Sequence, residues 1–85
     1  MSEVLWTKRA VRSLESIFHY IAADNFAAAT HLAEEIHRQV ALLTDHPQMG
    51  RAGRVIGTRE LVVHEHYIVP YRVAKGRVEI LTVQN

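Results

Sequence analysis

The sequence predicts an α+β fold in the order β-α-α-β-β-β, a helical hairpin packed on one face of a small antiparallel sheet. Three observations predict it. Apolar residues recur at helical spacing from residue 10 to residue 43. Asp24 and Asn25 interrupt that pattern near its middle. Beyond residue 57 the pattern changes to β-branched and aromatic runs separated by short polar or glycine-bearing links. A helical hairpin has to bury its stripe and a sheet has to bury one face, so a two-layer arrangement satisfies both.

Val4-Leu5-Trp6 is a short run of strand formers, and Trp6 is a natural core anchor. Thr7 then stands where a helix N-cap is needed. From Lys8 onward Ala10, Val11, Leu14, Ile17, Phe18, Ile21 and Ala22 make one apolar face. Lys8, Arg9 and Arg12 sit at the positive end of this helix, where cations are unfavourable, so Glu3, Glu15 or a partner is expected to compensate. Asp24 or Asn25 caps a second helix, with Ala28, Ala29, Leu32, Ala33, Ile36, Val40 and Leu43 as its stripe. The break is so short that the two helices run antiparallel. Pro47 cannot continue a helix, and the second one ends within Thr44–Pro47.

Residues Gln48–Gly57 read as a loop carrying Gly50, Gly53 and Gly57. Strands are expected at Arg59–Val63, Tyr67–Val73 and Val78–Val83, with turns at His64–His66 and Ala74–Arg77. Gly76 suits a turn with positive φ. Pro70 lacks an N–H for the ladder, so its strand is expected to be irregular there.

Eighty-five residues are expected to form one small domain, 1–85, with a modest core. There is no cysteine, which excludes disulfides and thiolate metal sites. No stretch approaches the ~20 apolar residues of a membrane helix. The N-terminal residues lack the apolar core of a signal peptide, and a cytoplasmic location is expected. His64 and His66 share a face only in an extended segment, and His31 and His37 fall on different faces of a helix. No metal and no cofactor is expected.

The near-neutral whole-chain charge hides an asymmetry. Residues 1–50 carry four Lys/Arg against six Asp/Glu, whereas residues 51–77 carry six Lys/Arg against two Glu. Arg51, Arg54, Arg59 and Arg72 are candidates for a basic face that meets a partner. Alternation puts Arg59 with Leu61 and Val63, and Glu60 with Val62. The plainer reading makes Arg59 and Arg72 cross-strand partners of Glu60, Glu65 or Glu79, or simply solvated. Tyr67 and Tyr71 are four apart in one strand and share a face, where packing in the core competes with contact to a partner.

The segments Gly50-Arg51, Gly53-Arg54-Val55, Gly57-Thr58-Arg59-Glu60-Leu61-Val62-Val63, Tyr67-Ile68-Val69-Pro70-Tyr71-Arg72-Val73 and Val78-Glu79-Ile80-Leu81 resemble the RelE/ParE superfamily of toxins from bacterial toxin–antitoxin modules. The helical part, with Tyr20-Ile21-Ala22, Ala28-Ala29 and His46-Pro47, fits as well, so the resemblance spans nearly the whole of 1–85 as one toxin domain. It implies a cytoplasmic toxin, associated with growth arrest and plasmid stabilisation and neutralised by direct binding of a cognate antitoxin in a hetero-oligomeric complex. ParE-like members act on DNA gyrase. RelE-like members are ribosome-dependent mRNA interferases, which the resemblance endows with a basic residue after a strand tyrosine and with Arg and Tyr or His in a C-terminal tail. Here Ile68 follows Tyr67, and Thr82-Val83-Gln84-Asn85 stands where that tail would begin. The expectation is therefore a ParE-like gyrase inhibitor rather than an enzyme, with mRNA interferase as the alternative. A third reading is a non-toxic remnant that retains antitoxin binding.

Overall fold

A computed structural model describes residues 2–85. Strand β1 (Glu3–Trp6) leads into helix α1 (Lys8–Ala22), followed by helix α2 (Phe26–Ala41) and a 3-10 turn at Leu42–Thr44. Four more strands follow: β2 (Arg51–Ala52), β3 (Arg59–His64), β4 (Tyr67–Ala74) and β5 (Arg77–Ile80). The sheet order is β1-β5-β4-β3-β2. The expected two-layer α+β architecture is present, and both helices lie on one side of the sheet. Two details go beyond expectation. The glycine loop contributes β2, and β1 enters the sheet parallel to β5, with Glu3 opposite Arg77 and Trp6 opposite Ile80. The sheet is thus mixed, with only its β2-β3-β4-β5 part antiparallel.

Both helices start where their caps dictate. Thr7 is extended, and its Oγ1 accepts from Ala10 N at 3.1 Å. The same hydroxyl donates to Ile80 O at 2.8 Å, so one side chain caps α1 and ties it to β5. Asn25, rather than Asp24, caps α2 by accepting from Ala28 N at 3.0 Å.

The core lies between the layers. Ala10, Ile36, Val40 and Leu43 from the helical layer meet Leu61, Val63, Val69, Tyr71, Val78 and Ile80 from the sheet. Trp6 and Val4 pack against this cluster from β1. Alternation then assigns Glu60, Val62, Pro70, Arg72 and Glu79 to the face away from the helices. The helical stripe is less covered than its periodicity implies. Ala28 is exposed and Val11 is 42% exposed; outside the stripe, Tyr20 and Phe26 also face solvent.

The irregularity at Pro70 takes a definite form. Its carbonyl accepts from Leu81 N at 2.9 Å, so its nitrogen also faces β5. The ladder there has no proton to use. Strand β5 ends at Ile80, and pairing resumes only as a bridge between Ile68 and Gln84. A second irregularity lies on the other side of β4, where register shifts between Val62 and His64. Gln39 Nε2 donates to Val63 O at 3.2 Å and so satisfies a carbonyl that the bulge exposes. His64 therefore belongs to β3, and the turn shortens to Glu65-His66.

Beyond β5 the chain stays docked. Ser13 Oγ on α1 donates to Ala10 O at 2.9 Å and accepts from Val83 N at 2.9 Å. Val83 is buried beside this latch.

Candidate functional site

The six candidate residues do not form one site. Tyr71 is fully buried; its hydroxyl donates to Pro47 O at 2.9 Å and accepts from Gly50 N at 2.8 Å. Burial raises its pKa above the usual tyrosine value, so the ring is a neutral core group that closes the loop after α2 onto the sheet. Arg59 turns toward the same loop, and its Nη1 donates to the carbonyls of Gly50 at 2.7 Å and Gln48 at 3.3 Å. Its partners are backbone oxygens rather than the carboxylates the sequence suggested.

Arg51 and Arg54 converge on Glu60. Arg51 Nε donates to Glu60 Oε1 at 3.1 Å, and the backbone N–H of Arg54 donates to Oε2 at 3.2 Å. The Arg54 guanidinium stands 3.9 Å from that oxygen and is mostly in water. Glu60 is buried, at 4% exposure, although it points away from the helices, because the loop carrying Arg54 folds over it. The Arg54 N–H chiefly, with help from Arg51, holds its carboxyl below the usual range.

Arg72 is exposed on β4 and pairs with Glu79 across the β4–β5 ladder at 3.3 Å. Here the plain cross-strand reading holds. Beside it lies a cleft of about 300 Å³, with Arg9, Arg54 and Arg72 around Glu60, Pro70 and Thr82. Sequence reasoning did not place Arg9 in this group. The signal was present as a cation in the first turn of α1, against the helix dipole; neither Glu3 nor Glu15 forms an ion pair with it among the described residues.

Tyr67 belongs elsewhere. It faces the helical side and lines a groove of about 540 Å³ with Ile21, Ala28, His31, Leu32, Glu35 and His64. The groove runs between the helical hairpin and the β3–β4 turn, and apolar surface dominates it. Glu35 at its edge accepts from Arg38 Nη2 at 2.7 Å and Gln39 Nε2 at 2.6 Å. These bonds, Arg38 first, bring its pKa to about 2. Among the described residues no cluster of three or more His, Cys, Asp or Glu is arranged to hold a metal ion.

A helical hairpin laid on one face of a small sheet is the fold expected of the RelE/ParE superfamily toxins. Residues 4–85 match the family described as the ParE toxin of the type II toxin–antitoxin system, parDE, and the chain belongs to that family. It is 43% identical over 83 residues to Y4kP of Sinorhizobium fredii (strain NBRC 101917 / NGR234), covering 96% of this chain and 85% of that one. It is 34% identical over 85 residues to toxin RelE2 of Caulobacter vibrioides (strain ATCC 19089 / CIP 103742 / CB 15), covering 100% and 96%. Among solved structures it is similar to the chromosomal ParDE TA system from P. aeruginosa, with a TM-score of 0.84, 27% identity and coverage of 100% and 96%. The YoeB/ParE toxin from Agrobacterium tumefaciens shares the fold, with a TM-score of 0.67 at 14% identity and coverage of 96% of each chain. Toxins of type II modules bind a cognate antitoxin, and no helix among the described residues is long and apolar enough to cross a membrane.

Proposed function

We propose that this chain is a ParE-like toxin that inhibits DNA gyrase by binding it, and that a cognate antitoxin neutralises it by filling the groove beside the helical hairpin. The observation that carries the first half is the chemistry of the cleft around Glu60. An RNA-cleaving site needs a group that accepts the proton of the ribose 2′-OH. Glu60 is the carboxylate of this cleft, and its hydrogen bonds hold its pKa low, which makes it a weak base. Tyr71 is buried, and Ile68 stands where an interferase would carry a basic residue after Tyr67. What remains around the cleft is a set of cations suited to binding rather than to proton transfer.

The second half rests on the groove lined by Ile21, Ala28, Leu32 and Tyr67. An amphipathic segment laid there would cover apolar surface that the chain leaves open. Supercoiling by purified gyrase in the presence of the protein tests the target. Loss of supercoiling or accumulation of cleaved complexes is expected. Unimpaired supercoiling together with codon-phased cuts in translated message would replace the reading with an mRNA interferase. Induction without growth arrest, with antitoxin binding retained, would point to a non-toxic antitoxin binder.

A further inference from the structure

The loop between β2 and β3 ends in two aliphatic side chains that the fold does not use. Ile56 is fully exposed and Val55 is 68% exposed. Burying an aliphatic side chain is favourable, so displaying two together forgoes stability that the chain does not recover within itself. The loop that displays them is braced. Gly53 N donates to Thr58 O at 2.8 Å, Thr58 N donates to Val55 O at 3.1 Å, and Thr58 Oγ1 donates to the same carbonyl at 2.6 Å. A side chain on Gly53 would collide with Thr58, and Gly57 has φ 87°, a conformation few other residues adopt. Arg54 N is fixed to Glu60 at 3.2 Å. The tip is therefore held in shape before any partner arrives, which lowers the ordering cost of binding.

Its surroundings indicate the partner. Val55 also lines the cleft that carries Arg9, Arg54 and Arg72, so the apolar tip and the cations form one continuous surface. That surface reaches from the sheet face opposite the helices to Arg9 in the first turn of α1, and it shares no lining residue with the groove assigned above to the antitoxin. Exposed aliphatic side chains offer nothing to phosphates, whereas they suit an apolar pocket in a protein. We propose that Val55 and Ile56 are the anchor by which this toxin docks on its target, a protein surface with an apolar pocket rimmed by carboxylates that meet Arg9, Arg54 and Arg72. The proposal rests on the reading of the chain as a toxin that acts by binding a protein, but it does not require that protein to be gyrase.

The test compares the unaltered chain with a Val55→Ser, Ile56→Ser double variant and with Ile56→Leu, each induced in cells that lack the antitoxin. Because Ile56 is fully exposed and Val55 is mostly so, the double variant should nearly keep the melting temperature. It should relieve growth arrest, and where gyrase is the target it should raise the half-inhibiting concentration for supercoiling about 10-fold or more, the effect of losing a central anchor. Ile56→Leu should arrest growth as the unaltered chain does. Equal arrest by the double variant would overturn the proposal, as would no arrest by the unaltered chain. Loss of binding to a fluorescent single-stranded RNA in the double variant would overturn it in favour of nucleic acid. Arrest by the unaltered chain with supercoiling intact removes the gyrase reading alone; relief by the double variant would then still support the anchor.

Discussion

The backbone N–H of Gly50 donates to the phenolic oxygen of Tyr71 at 2.8 Å inside the core. The same hydroxyl donates to Pro47 O at 2.9 Å, so it holds both sides of the loop after the helices. Tyr71→Phe leaves a buried N–H and a carbonyl without this partner and should cost about 1–3 kcal/mol in urea unfolding. Gly50→Ala should cost a similar ~1–3 kcal/mol through overpacking. Its Cβ would lie 2.7 Å from Tyr71 ring and hydroxyl atoms and 2.9 Å from Glu60 O.

Because burial raises the Tyr71 pKa, the folded chain keeps its phenolic proton where the unfolded chain loses it. Stability should be fully present below pH 10.0, the ordinary tyrosine value, and should fall as pH rises above it. Tyr71→Phe should flatten that alkaline slope, as read by denaturant midpoints across the range. An unchanged slope would contradict the assignment.

On the acid side the signs reverse. Glu35 and Glu60 both have folded-state pKa values below 4.5, Glu35 at about 2. The unfolded chain therefore binds more protons as pH falls below 4.5, and stability is lost in that direction. Glu60→Gln should reduce this loss, because Glu60 is buried at 4% exposure. Glu35→Gln should matter less, since its side chain is 37% exposed and water screens its pair with Arg38. Urea midpoints near pH 6 and near pH 3 would rank the two, as orders of magnitude.

Thr7→Ala removes the N-cap of α1 together with the bond to Ile80 O at 2.8 Å. A loss of about 1–2 kcal/mol is expected, with most secondary structure retained by circular dichroism. Thr7→Ser, which keeps the hydroxyl, should recover most of it.

The groove separates the two partners experimentally. Leu32→Glu puts a charge into its apolar wall, away from the cleft of Arg9 and Arg72. Antitoxin affinity by calorimetry should fall about 10-fold or more while growth arrest persists. Arg72→Glu should do the reverse, weakening arrest and sparing the antitoxin.

Much of this organisation is legible in the sequence where the cause is local. Thr7 and Asn25 are caps because their side chains reach N–H groups three residues on, and three-residue reach is a sequence property. Alternation puts Leu61 and Val63 inward correctly. The parallel pairing of β1 with β5 is not legible, because nothing near Glu3 indicates Arg77 as its neighbour. Strand β2 is only Arg51-Ala52 and exists because β3 lies beside it. The partners of Arg59 are not legible for the same reason, since the carbonyls of Gln48 and Gly50 carry no sequence signal. Pro70 lies between, with its missing donor evident in the sequence and the resulting end of β5 visible only in the fold.

The parallel seam also has a temporal meaning. Thr7 donates to Ile80 across a separation of 73 residues, and Glu3 finds its place beside Arg77. During translation both helices are synthesised before the strand that receives β1. Through that interval the helical hairpin displays Ile36, Val40 and Leu43 with no sheet to cover them. A nascent chain thus lacks part of its sheet until residues 77–80 are present. A chain ending before Arg77 would lack the strand that receives β1, and its uncovered core residues should make it readily proteolysed.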